Sequence, residues 1–321
     1  MVNVRGNKTM PSMSANTTTG WRKNAEQIKR DWQLYILMAV PLVFLIIFNY
    51  IPMYGVLIAF QRFSPARGIW GSEWIALANF ERFFNTPSAV RTINNTLAIS
   101  IYTLLVSMPV PLILAVLLNE CRNVKFKKSI QMITYAPFFI STVVMVAMLM
   151  LFLDPRVGFV NNIIGFFGGE RVHFMGERDM FRHVFVWSGV WQSAGFGAVI
   201  YIAALSGVDP SLYEAAYIDG ASRFQKIRHI DLPGIIPTFT ILFILGVGQV
   251  MNVGFERVFL MQNPANMAVS DVLSTLVYRV GLVQNDFGFA AAVGLFNSVV
   301  NTFLLVSVNT ICRRIGETSL W

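Results

Sequence analysis

Few residues of this chain could perform covalent chemistry. Its three histidines, His173, His183 and His229, are widely separated and none pairs at helical spacing, so the sequence predicts no zinc or hydrolase constellation. Cys121 and Cys312 both flank apolar runs, implying neither a disulfide nor a metal site. No lysine follows a glycine, so there is no Walker A loop and the chain cannot hold ATP in that way. The residues that could act on a partner lie in one polar stretch, Asp209 to Pro233, DPSLYEAAYIDGASRFQKIRHIDLP. Asp209 caps a helix that Pro210 opens, and Leu212, Ala215, Ala216 and Asp219 then share a face. Ala215 and Ala216 keep that face low, and Gly220 supplies the left-handed residue that ends the helix. Ser222 and Gln225 form a capping box that starts a second short helix, with Phe224 and Ile227 on an apolar edge and Arg223 and Lys226 on a basic one. Leu232-Pro233 is expected to turn the chain back toward the bilayer.

The elements around this stretch are membrane spans. With 321 residues, 55% hydrophobic, 13% charged and a mean hydropathy of +0.57, the chain is too apolar for a soluble domain of its size. Six apolar runs each reach the ~20 residues that cross hydrocarbon: Leu34 to Phe60, Ile93 to Leu118, Ile130 to Leu153, Val184 to Ser206, Ile235 to Phe255 and Gly288 to Ile311. The first is too long for a signal-peptide core, and Pro41 and Pro52 are expected to kink it. Residues 1–30 read as a polar, Ser/Thr/Asn-rich tail. Residues 61–91 read as a loop carrying Trp70, Trp74 and an aromatic helix, Asn79 to Phe84, suited to lying in the interface. The net charge of +8 is explained by basic residues beside the spans, which makes a nucleic-acid partner unnecessary. All seven lysines and fifteen of the 25 basic residues fall on the side that holds both termini and the Asp209–Pro233 stretch, placing that side in the cytosol.

None of the six runs contains Asp, Glu, Lys, Arg or His, which argues against a proton- or ion-coupled carrier. Neutral polar and aromatic groups within them include Trp187, Trp191 and Gln192 in the fourth, Gln249 and Asn252 in the fifth, and Asn297 and Asn301 in the sixth. Gln249 with Asn252, and Asn297 with Asn301, fall on one helical face each. Amides offer donors and acceptors without charge, and indoles pack on sugar C–H surfaces, so the set suits a saccharide pathway. Taken singly, each of these residues reads first as a helix–helix bond, and the pathway reading belongs to the set.

Glu214-Ala215-Ala216, Gly220, Ile230 and Leu232-Pro233, at their spacing, resemble the EAA signature of permease subunits in binding-protein-dependent ABC importers. The resemblance implies an all-α membrane protein with a type I importer permease fold, over residues 92–310, with residues 31–91 as an added first span and loop and 311–321 as a cytosolic end. It further implies that the elbow Glu214, Ala215, Ala216, Gly220, Ser222, Phe224, Ile230, Leu232 and Pro233 is a coupling helix for a cytosolic ATPase. The implied partners are a second, different permease chain, two ATP-binding subunits using ATP and Mg, and an extracytoplasmic solute-binding protein, in a bacterial cytoplasmic membrane. Tyr50-Ile51-Pro52-Met53-Tyr54-Gly55, with Asn79-Phe80 and Phe83, resembles the branch importing oligosaccharides, acidic ones such as alginate or aldouronate fragments included. Gly158-Phe159-Val160-Asn161 resembles an element at the external mouth of such permeases and reads equally as a plain glycine turn. The chain is thus expected to be a transport subunit with no cofactor or enzymatic site of its own; the alternative is an ion-coupled carrier or channel.

Overall fold

The computed structural model describes residues 30–316 and 318–321, so the tail expected over residues 1–30 lies, except for Arg30, outside the described residues. Backbone contacts divide the chain into two compact units, Met1–Gly55 and Val56–Trp321. Helix α1, Trp32–Phe60, provides the described part of the first unit and contains the boundary. Leu37, Val40, Phe44 and Phe48 of α1 are all exposed, as suits a helix whose solvent is hydrocarbon. Pro41 is taken up within regular helix, whereas ahead of Pro52 the helix widens into a π-turn, Ile46–Tyr50, then tightens to 3₁₀ bonding over Ile51–Phe60.

The second unit opens with a two-stranded antiparallel hairpin, β1 (Gln61–Arg62) and β2 (Glu73–Trp74), in which Gln61 faces Trp74. It continues through α2 (Ala78–Asn85), α3 (Pro87–Asn119), α4 (Val124–Phe139), α5 (Thr142–Phe152), α6 (Phe159–Phe166) and α7 (Arg178–Ser206). Then come α8 (Pro210–Ile218), α9 (Arg223–Val247), α10 (Phe255–Met261), α11 (Leu273–Val283) and α12 (Phe287–Ile315). Five helices, α1, α3, α7, α9 and α12, are long and apolar enough to span a bilayer, and the apolar pair α4/α5, bent at its break, makes a sixth span if the two helices are counted as one. The fold is an all-α membrane fold, as expected.

Helix α7 is the axis. Its Phe181, Phe185, Val186 and Val190 pack with Ile99 of α3, Met145 of α5 and Val258 of α10, while its Ala198, Tyr201 and Leu205 pack with Ala115 of α3 and Ile235 of α9. A third cluster joins Phe83 of α2 to Leu273 and Leu276 of α11 and Phe289 of α12. Phe83 is therefore a core residue. The aromatic helix expected to lie in the interface is anchored edgewise into protein, with Asn79 donating to the Ala59 and Gln61 carbonyls at 2.9 and 3.1 Å. Its period-four pair Asn79/Phe83 is the buried face.

Five further expectations are corrected. The third run is no straight span: α4 and α5 meet at 102°. Pro137 tightens the chain into a 3₁₀ turn, Ser141 recaps α5 through Val144 N–H, and the Ile140 carbonyl freed at the break accepts from Gln192 Nε2 at 2.8 Å. The fifth run ends early, because α9 stops at Val247 and residues 248–254 are irregular before α10 begins. Such backbone is tolerated at membrane depth only where protein satisfies it, and Asn301 Oδ1 accepts from Met251 N–H at 2.9 Å. Nor does Leu232-Pro233 turn the chain. A π-turn over Ile227–Asp231 carries the Leu232 N–H to the Ile227 carbonyl, absorbing the missing donor of Pro233 so that α9 runs unbroken from the elbow into the span. At the far end α12 continues past Thr310 to Ile315, and the division drawn at Arg91 falls inside α3.

Candidate functional site

The elbow forms as its sequence dictates. The Asp209 carboxylate accepts from Ser211 N–H at 2.9 Å, and that backbone bond, joined by the Ser211 hydroxyl, holds its pKa below the usual carboxylate range. Helix α8 closes with Ala221 N–H on the Ala216 carbonyl and Gly220 N–H on the Tyr217 carbonyl, Gly220 sitting at φ +70°. Ser222 then caps α9 in a box with Gln225, whose Oε1 accepts from Ser222 N–H at 2.7 Å. Between the two helices lies a groove of about 430 Å³ lined by Leu212, Ala215, Ala216, Gly220, Lys226 and Ile230, among others. The predicted shared face of α8 is thus the groove wall. Glu214, Ser222, Phe224 and Pro233 are exposed and Leu232 is half-buried. Outside the groove Tyr217, Ile218 and Phe224 are 85, 83 and 70% exposed, an apolar crest on an otherwise polar elbow.

One tie the sequence reading missed fixes the elbow's angle. Tyr213 of α8 donates its hydroxyl to Asp231 Oδ1 at 2.5 Å, and Asp231 is fully buried within the π-turn. Burial, then the Asp231 carboxylate, pushes the tyrosine pKa up, so it stays a donor. Tyr213→Phe strands a buried carboxylate whose Oδ2 already lacks a partner, at a cost of about 2–3 kcal/mol. The variant is expected to exchange the backbone amides of α8 faster, while those of α7 keep their protection.

The polar residues of the spans fall into two groups. Gln192 and Asn301 are spent on backbone, at the α4/α5 break and the irregular segment respectively. Gln249 and Asn252 share no helical face, since both lie in that segment, yet they form a chain with α12. Asn297 Nδ2 donates to Asn252 Oδ1 at 2.8 Å, and Asn252 Nδ2 to Gln249 Oε1 at 2.6 Å. Trp187 and Trp191, one turn apart on α7, are each about half exposed, and Trp187 Nε1 donates to Tyr102 Oη at 3.0 Å. Tyr102 also lies 2.9 Å from His183 Nδ1. The Gly158–Asn161 turn is a structural knot: fully buried Asn161 donates to the Asp154 and Val172 carbonyls and accepts from Val172 N–H.

Five to six apolar spans, a polar elbow continuous with α9 and an amide chain between the irregular segment and α12 match known proteins. The family of binding-protein-dependent transport system inner membrane components matches residues 107–317. The chain belongs to that family. This permease subunit is 39% identical over all 321 residues, and the full length of both chains, to Protein LplB of Bacillus subtilis (strain 168). It is 38% identical over 288 residues, 90% of each chain, to the polygalacturonan/rhamnogalacturonan transport system permease protein YteP of the same strain. Its fold superposes with a TM-score of 0.84 and 36% identity on a chain of a bacterial alginate ABC transporter crystallised with its alginate pentasaccharide-bound periplasmic protein, covering 92% of this chain and 99% of that one. The permease is an ABC importer subunit and a multi-pass membrane protein, as the EAA spacing implied.

Proposed function

We propose that the permease passes an oligosaccharide from an extracytoplasmic binding protein to the cytosol, driven by Mg-dependent ATP hydrolysis on two ATP-binding subunits, one of them docked on this elbow. The observation that carries this is the exposed crest of Tyr217, Ile218 and Phe224 beside a groove walled by small residues, since apolar area on a polar elbow suits a protein partner. Because α9 runs without a break from Ser222 into the fifth span, a push on the crest is delivered to the irregular segment at its other end. Both termini face the cytosol on this reading, on the side of the lysines. A second, different permease chain completes the pathway. The saccharide class is supported by relatives named for polygalacturonan, rhamnogalacturonan and alginate.

Trp191, Asn252 and Asn297 are assigned to the pathway. Single alanine changes at these positions are expected to shift the relative uptake of oligosaccharides of different sugar composition, with the assembled complex still recovered in detergent. Equal loss for every sugar, with loss of assembly, would make them packing residues. Co-purification tests the partnership itself: an ATP-binding subunit should accompany the tagged permease and be lost from the Glu214→Lys variant. A permease that purifies alone yet transports along an ion gradient is a carrier.

A further inference from the structure

Among the described residues, Arg257 of α10 has no carboxylate within 4.0 Å, whereas Arg82, Arg91 and Arg279 each face one. It is held by shape instead. Its Cζ lies 3.8 Å from the ring centroid of buried Phe185, and a Cβ on Gly189, one turn further along α7, would come within 2.1 Å of Nη1. The absence of a Cβ at Gly189 therefore leaves room for the guanidinium, whose Cζ lies over the aromatic ring. In front of it is a recess of about 240 Å³ whose lining includes Thr103, Ser107, Gln249 and Asn252. Thr103 Oγ1 is buried there without any hydrogen-bond partner. Arg257 and Thr103, whose hydroxyl is buried in the wall without a partner, thus line the same recess, beside the amides already assigned to the pathway. An unpaired charge in such surroundings is costly unless a counter-charge visits it.

We propose that Arg257, seated on Phe185 and Gly189 and helped by Thr103, receives the carboxylate of an acidic sugar residue in transit. The proposal rests on the oligosaccharide reading and deepens it to sugar chains bearing carboxylates. The guanidinium fork matches a planar carboxylate, the Phe185 ring holds the fork in place, and the Thr103 hydroxyl supplies another donor to the same anion. A single cation suits a moving substrate, since it favours entry of an anionic ring without holding it as a cluster of charges would.

The test uses the assembled importer in proteoliposomes with its binding protein, and compares trigalacturonate with its methyl ester, which keeps the chain and removes the charge. For Arg257→Gln the ratio of acid to ester uptake is expected to fall about tenfold, the loss of one charge-assisted bond. Arg257→Lys should give an intermediate ratio, and Gly189→Ala, by displacing the guanidinium, should behave like Arg257→Gln. An unchanged ratio in Arg257→Gln overturns the proposal even if both uptakes drop. Should that variant fail to assemble, phenylglyoxal labelling of Arg257 in the wild-type complex decides: slowing by trigalacturonate and not by the ester supports the site, equal labelling overturns it. Uptake of neither compound by the wild type removes the oligosaccharide reading, and the site with it.

Discussion

Phe224→Asp, combined with Glu214→Lys, is expected to reduce uptake by about tenfold or more, because an exposed aromatic at the centre of a docking surface typically accounts for 2 kcal/mol or more of binding. Phe224 is 70% exposed and neither side chain is buried, so the folded permease loses little. Membrane levels and detergent thermal stability should stay close to wild type, while ATP hydrolysis no longer responds to loaded binding protein. Gly220→Val separates docking from geometry. No atom lies within 4 Å of a Cβ at Gly220, so the only penalty is the left-handed backbone at φ +70°, about 1–2 kcal/mol. That variant should retain some ATPase binding but couple it poorly, since the angle between α8 and α9 depends on the glycine turn. Normal uptake by both variants would remove the elbow from the coupling path.

The largest stability effect is expected at Arg279. Asp271 is fully buried, its Oδ2 lies 2.7 Å from Arg279 Nη2 and 4.0 Å from Arg91 Nη2, and its Oδ1 accepts from Thr275 Oγ1 at 2.9 Å. Asn95 gathers the same corner by donating to the Ala268 and Asp271 carbonyls and accepting from Arg182 at 3.0 Å. Arg279→Gln leaves the buried carboxylate with the Thr275 hydroxyl and, as a cation, only the distant Arg91, an expected loss of about 3 kcal/mol in unfolding experiments in mixed micelles. Asp271→Asn leaves Arg279, which is about a third exposed and can turn to water, so it should cost less. The double variant should be more stable than Arg279→Gln alone, because the stranded charge is gone. Additive losses would mean that the pair is not coupled.

Much of the elbow was legible because its determinants are local. Caps, a proline at the first helical position and a glycine at the end act over three or four residues, and the structure has each at its expected place. The spans were legible as composition but not as geometry. The 102° bend and the early end of α9 depend on Gln192 and Asn301 satisfying carbonyl and amide groups from other helices, information that no single run contains. Pro233 misled for a related reason, since the π-turn before it leaves the missing donor harmless and the helix continuous. Phe83 looked interfacial because aromatic content alone does not tell lipid from protein. Arg257 escaped notice by lying just beyond an apolar run, so a count of charges within runs passed it by, and Tyr213 by bonding to a carboxylate eighteen residues away.

Uptake of radiolabelled oligosaccharide into proteoliposomes holding the permease, its partner permease and the ATP-binding subunits tests the central claim most directly. The account predicts uptake only when the binding protein is outside and ATP with Mg is inside, and none from a proton or sodium gradient alone. Uptake that follows an ion gradient in the absence of nucleotide would contradict it.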